Sequence, residues 1–204
     1  MVVLYSGSYC PYSHRCRIVL KEKQMESGFD IKDVDLNNKP EELSLYNPYN
    51  QVPVLVDRDV QLYESNIINE YLDDRFPHPQ LMPTDIMLRA RVRILMHVVD
   101  RELFRHADVL ERKTAKKHQR EAARKRIAEN LMMLSQNLTK GGKHLVDNEF
   151  TLLDASLAPL LWRLEHYRVP LPPKALPLRK YAERLFSREA FSESLTAIEK
   201  AMRK

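Results

Sequence analysis

The chain has 204 residues, 44% hydrophobic and 30% charged with only four Gly, enough to bury a sizeable core and unlike collagen, low-complexity or disordered sequences. No apolar run approaches the roughly 20 residues of a membrane span, and two Cys, Cys10 and Cys16, make no disulfide framework. The net charge of +5 is uneven: residues 1–80 carry 8 Lys or Arg against 13 Asp or Glu (−5), and residues 81–204 carry 25 against 15 (+10).

Val2 to Ser6 is a short β-branched run that predicts a strand, followed by a turn at 6–11 and a helical pattern from Ser13 to Lys23. No basic and apolar leader precedes this strand, so no secretory signal is expected, and a reducing cytoplasm is the expected compartment. Phe29, Ile31, Val34 and Leu36 alternate with charges, with one slip, as in a half-buried strand. Pro40-Glu41-Glu42 opens a helix, with Pro at an early position and acids at the positive end. The runs Val52 to Val56 and Val60 to Tyr63 flank the turn Asp57-Arg58-Asp59 and predict a hairpin. A helix from Glu64 to about Phe76 completes the order β-α-β-α-β-β-α, a thioredoxin-like arrangement.

Beyond Pro83 the pattern is all helical. Met87, Val92, Leu95, Val98, Val99 and Leu103 predict a helix over 85–110, and Ile127, Leu131, Leu134 and Leu138 another over 117–138. Thr151 and Asp154 form a capping box before a mostly apolar helix, expected at the centre of a bundle. Pro170 to Pro177 reads as a connector, with two amphipathic helices after it. The expected fold is therefore α/β followed by an all-α bundle: residues 1–77, a linker at 78–84 where prolines forbid a continuous helix, and 85–204.

Three local features carry chemistry. Cys10-Pro11-Tyr12-Ser13 places a thiol at a helix start, where the macrodipole and nearby His14, Arg15 and Arg17 favour thiolate. With Ser13 where a resolving Cys would stand, only thiol-transfer or mixed-disulfide chemistry is open; Cys16 lies on the apolar side and reads as core. Val52-Pro53 predicts an edge position or a cis bond, leaving the Val52 main chain to pair with an extended peptide. Glu64-Ser65 opens a helix after a strand, where a hydroxyl and free N–H groups suit a carboxylate and Glu64 suits an ammonium. Together they describe a glutathione pocket. The basic run Arg112 to Arg126 could meet nucleic acid or an acidic protein, but lacks aromatic interleaving and reads as a solvated helix face; direct DNA binding is disfavoured without a helix-turn-helix pattern. No metal site is expected.

The motifs Cys-Pro-Tyr-Ser, Asn-Pro-Tyr-Asn-Gln-Val-Pro-Val-Leu and Tyr-Glu-Ser-Asn-Ile-Ile-Asn-Glu-Tyr-Leu-Asp resemble a cytosolic glutathione transferase, nearest in the N-terminal half to the omega class. Ile-Ile-Asn-Glu-Tyr-Leu-Asp-Asp-Arg-Phe-Pro-His-Pro-Gln-Leu-Met-Pro, Leu-Ala-Pro-Leu-Leu-Trp-Arg-Leu and the final Ala-Met-Arg-Lys resemble the stringent starvation protein A family still more closely. That resemblance implies the glutathione-transferase fold and a cytoplasmic homodimer that binds RNA polymerase and regulates transcription under starvation and acid stress. It implies Pro77, His78 and Pro79 as the surface met by the polymerase and no required cofactor. The omega resemblance implies Cys10 as the thiol-reactive group, with Lys39 and the Val52 main chain binding glutathione and Glu64 and Ser65 holding its γ-glutamyl end. Members of the starvation family commonly lack a nucleophile at the Cys10 position; this chain has one. Two readings follow, a polymerase-associated regulator first and a glutathione-dependent thiol transferase second.

Overall fold

β1 (Val2–Gly7) is apolar almost throughout, as a strand flanked on both sides and covered on both faces must be. The computed structural model describes residues 2–24, 28–140, 142–146 and 149–203. β1 runs parallel to β2 (Phe29–Val34) and antiparallel to β3 (Val54–Asp57), which pairs antiparallel with β4 (Val60–Tyr63), giving the order β2-β1-β3-β4. Leu4 stands opposite both Ile31 and Leu55, so the central register joins apolar side chains. α1 (Pro11–Glu22), α2 (Glu42–Tyr46) and α3 (Ser65–Arg75) complete the expected thioredoxin-like order. Tyr5, Val34, Leu43 and Val54 form one buried cluster, with Val52 and Tyr63 packed against it.

Element ends differ from the sequence expectations for local reasons. α1 begins at Pro11, because proline suits a first helical position whose N–H has no acceptor. β2 stops at Val34, because the Asn37 N–H donates to Asp35 Oδ1 at 2.9 Å and turns the chain. β3 starts at Val54, after the cis Val52-Pro53 bond, where proline has no N–H for a ladder. Asp57-Arg58-Asp59 does make the hairpin, with Arg58 at φ 57°.

In the second unit the 85–110 helix is three pieces: α4 (Ile86–Val99), a π-helical turn (Asp100–Phe104) and α5 (Arg105–Glu111). Asn130 Nδ2 donates to the Glu102 carbonyl at 2.8 Å, a partner for a carbonyl within that turn. α6 (Lys117–Leu134) ends in a 3-10 turn (Ser135–Lys140), short of the expected uniform helix to 138. α7 (Leu152–Arg163) is buried along nearly its whole length and begins with the expected reciprocal Thr151 and Asp154 bonds. The connector is itself partly helical, with a 3-10 turn at Pro173–Ala175 leading into α8 (Leu176–Phe186).

The largest correction concerns the end of the chain. Three helices, not two, follow the connector: α8, α9 (Glu189–Ser194) and α10 (Ala197–Ala201). The chain divides into two compact units, Met1–Leu81 with Arg188–Met202, and Met82–Ser187 with Arg203, so residues 188–202 depart from the sequence boundary of 85–204. The cause is a polar lock onto α1. Arg17 Nη2 donates to both Glu199 carboxylate oxygens at 2.7 Å, its Nε donates to the Ser194 carbonyl at 2.9 Å, and Arg188 pairs with Glu22 at 2.6 Å. Among the described residues no helix is long and apolar enough to cross a membrane.

Candidate functional site

The turn between β1 and α1 is shaped by Gly7, where a Cβ would lie 2.9 Å from Leu36 Cδ2 and 3.1 Å from the Cys10 Cβ. The Gly7 N–H donates to Ser13 Oγ at 3.1 Å, so Ser13 holds the turn rather than standing free. Cys10 is the residue preceding α1 and is 9% exposed; its thiol donates to the Val52 carbonyl at 3.8 Å. The cis Val52-Pro53 bond thus stands beside the sulfur, the first two features expected of the pocket.

The charges expected around Cys10 go elsewhere. Arg17 is spent on Glu199, and His14 is buried with Nε2 2.9 Å from Ser194 Oγ. Arg15, fully buried, donates through Nη1 to Ser65 Oγ at 3.1 Å. Sequence reasoning missed this role of Arg15; an Arg beside Cys16 on an otherwise apolar helix face was the signal for it. The Arg15 cation lies at the start of α3 and reinforces the positive end of that helix, while the Ser65 hydroxyl accepts from it. Glu64, exposed, adopts φ 70° and ψ 113°, a backbone region costly for any residue but Gly, by about 1–3 kcal/mol. Lys39 Nζ donates to the Asn50 carbonyl at 2.7 Å, two residues before Val52, which ties it to the loop. Cys16 is fully buried and donates to the Ser65 carbonyl at 3.8 Å; burial pushes its thiol well up, partly offset by Arg15 and Arg17.

The second candidate is the loop after α3. Pro77, His78 and Pro79 are all exposed, and the His78-Pro79 bond is cis. Beneath the loop Lys23 and Asp73, both buried, form an ion pair. Lys23 Nζ also donates to the Pro79 carbonyl at 2.5 Å, and Asp73 Oδ1 accepts from the Leu81 N–H at 2.8 Å. The two side chains of one ion pair therefore hold the loop at two points. On its N-terminal side the Phe76 ring packs edge-on against Phe29, with centroids 5.7 Å apart.

In the basic stretch Arg112, Lys113, Lys116, Lys117, Lys125 and Arg126 are exposed, and two cations are structural. Arg120 donates to the carbonyls of Leu110, Arg112 and Ala115, closing the end of α5, and Arg124 donates to the Tyr167 carbonyl at 2.7 Å. Lys125 and Arg126 lie near Glu129 on the same helix. Among the described residues no group of His, Cys, Asp or Glu could hold a metal ion.

Comparison with known proteins places this geometry. Residues 9–75 match the model of the Glutathione S-transferase N-terminal domain, and residues 117–186 that of its C-terminal domain. A Stringent starvation protein A homolog from Coxiella burnetii is 42% identical over 205 residues, spanning 100% of this chain and 95% of the relative. Glutathione S-transferase omega-2 from Rattus norvegicus is 44% identical over 99 residues, 48% of this chain and 39% of that protein. The crystal structure of glutathione transferase Omega 3C from Trametes versicolor superposes with a TM-score of 0.82 at 27% identity, over 96% of this chain and 84% of that one.

Proposed function

The chain belongs to the stringent starvation protein A family, on the glutathione-transferase fold, and from that premise we propose that it is an RNA-polymerase-associated transcription regulator of the starvation and acid-stress response, docking through Pro77, His78 and Pro79. The observation that carries this reading is the preorganisation of that loop. Three exposed residues, two of them proline, stand on a buried ion pair, so little conformational entropy remains to be lost on binding. Direct contact with DNA is not part of the proposal, since no helix-turn-helix or aromatic-basic pattern accompanies the exposed cations of residues 112–126, and Arg120 and Arg124 are bound to backbone carbonyls of the chain itself. We place the protein in the cytoplasm as a homodimer. Exposed Ile67 and Val60 in the first unit and Ile86, Met87 and Ile94 in the second supply apolar surface for such pairing. The experiment is capture of RNA polymerase from the source cell's lysate by the purified full chain; failure to retain polymerase sinks the reading.

A second reading is favoured by the contact of Cys10 with the Val52 carbonyl. A glutathione-dependent thiol transferase would use the Cys10 sulfur as nucleophile, with a mixed disulfide as its intermediate. Lys39, Val52, Glu64 and Ser65 would hold the tripeptide. No cofactor is required for the docking role, and glutathione is the ligand of this second one.

A further inference from the structure

α8 buries Leu178, Tyr181, Ala182 and Leu185 and turns a different stripe outward: Leu176, Lys180 and Arg184, spaced four residues apart, with Pro177 beside them. That stripe and the segment around Leu138 and Lys143 enclose a groove of about 270 Å³. Its apolar surface comes from Leu138, Leu176 and Pro177, and Leu176 is 54% exposed although it is a large aliphatic side chain. Its polar rim comes from Lys143, Lys180 and Arg184, and among the described residues that line it none is acidic. Arg184 is held in place, donating from Nη2 to the Lys143 carbonyl at 2.6 Å with its guanidinium 6.0 Å from the Tyr181 ring centroid. Leu176 and Pro177 are the first residues of an 11-residue helix, and Arg184 stands in its last turn, where a cation suits the negative end of the dipole.

An apolar floor under an all-cationic rim discriminates by charge. A basic or neutral apolar side chain leaves the three cations uncompensated, whereas a segment with carboxylates beside an aliphatic or aromatic side chain satisfies both parts. We infer that this groove binds an acidic segment of a partner protein, seating an apolar side chain on Leu138, Leu176 and Pro177 and carboxylates on Lys143, Lys180 and Arg184. The groove's lining includes neither Cys10 nor any residue of the Pro77-His78-Pro79 loop.

The test is fluorescence anisotropy of the full chain with a short labelled peptide carrying leucines among glutamates, titrated at low and at raised salt. Saturable binding is expected, weakening as salt rises. Lys180→Glu with Arg184→Glu should weaken it at least about tenfold, and Leu176→Asp should weaken it as well. Lys113→Glu with Lys116→Glu makes the same change of net charge elsewhere in the unit and should leave binding within about twofold, well under the tenfold that 1.4 kcal/mol represents. Circular dichroism checks the fold, and Lys180→Gln with Arg184→Gln replaces the reversed pair if that pair misfolds. Equal weakening by the 113/116 pair, undiminished binding by the 180/184 variants, or no binding of the peptide would overturn the inference. So would a groove-dependent preference for duplex DNA or for phosphatidylglycerol vesicles over the peptide.

Discussion

Lys23 Nζ lies 2.5 Å from the Pro79 carbonyl oxygen while paired with buried Asp73, which joins the end of α1 to the loop that follows α3. Removing one partner of a buried ion pair leaves the other charge uncompensated, typically at about 3–5 kcal/mol. Lys23→Met is expected to lower the urea midpoint accordingly and to weaken polymerase capture, although Pro77, His78 and Pro79 are unchanged. Capture at full strength by a destabilised Lys23→Met protein would show that docking does not depend on how the loop is held.

That relationship was not legible in the sequence, and the reason is physical. Lys23 and Asp73 are 50 residues apart, and nothing local to either marks its partner. Arg17 and Glu199 are 182 apart, so a boundary drawn from helical periodicity put residues 188–202 with the bundle when they belong with α1. The features that were legible are local: the apolar runs that give β1, β3 and β4, the alternation that gives β2, the Thr151 and Asp154 box three residues apart, and the prolines of the 77–79 loop. The π-helical turn at Asp100–Phe104 falls between, since one extra residue per turn shifts the apolar period without breaking it.

Cys16 supplies a pH dependence. Burial raises its folded-state pKa far above the ordinary 9.0, so below that value folded and unfolded chains are both protonated and the full stability is present. Above it the unfolded chain releases a proton that the folded chain retains, and stability falls with rising pH, at most about 1.4 kcal/mol per unit from this one group. Urea midpoints measured from neutral to alkaline pH should therefore decline beyond about pH 8.5–9, and Cys16→Ala should flatten the first part of that decline. An unchanged slope in Cys16→Ala would assign the effect to Tyr167 and Tyr181, whose hydroxyls burial also pushes up.

The two thiols should also react differently. Cys10 lies at the start of α1 with slight exposure, whereas Cys16 is closed off entirely. Iodoacetamide is expected to label Cys10 in the folded protein and Cys16 only on unfolding, as peptide mass analysis would reveal. If Lys39, Val52, Glu64 and Ser65 hold glutathione, millimolar glutathione raises the melting temperature, since a ligand at 100 times its Kd stabilises by about 2.7 kcal/mol. The absence of a shift, with equal labelling of both thiols, would mark the pocket as inactive.

Pairing of two copies is expected from opposed charge as well as from apolar surface. The net −5 of residues 1–80 and +10 of residues 81–204 favour contact between the 1–80 segment of one copy and the 81–204 segment of the other. Sedimentation should report twice the 24.0 kDa of one chain at micromolar concentration. Ile94→Glu, on exposed α4 surface, should shift the mass toward the monomer without lowering helical content. A wild-type mass of one chain would remove the homodimer from the proposed function.

The two functional readings separate in one pair of variants. If docking is the function, replacing Pro77, His78 and Pro79 by Ala removes the stiff exposed surface, abolishes polymerase capture and leaves the melting temperature within a few degrees, because Lys23 and Asp73 are untouched. Cys10→Ser should then change neither capture nor the stress phenotype. A thiol transferase inverts both results, since turnover depends on the Cys10 sulfur and an oxygen in its place is a far weaker nucleophile at neutral pH. The loop variant would then be nearly silent, as the Cys10 thiol donates to the Val52 carbonyl and its contact is left unchanged by the substitutions. Docking is the expected outcome, because the loop has both an exposed surface and a dedicated support beneath it. Arg17 pairs with Glu199 and Arg15 donates to Ser65, so both side chains have structural roles of their own. Full polymerase capture by the triple-Ala variant would falsify the loop assignment, and loss of the stress phenotype in Cys10→Ser would transfer the function to the thiol.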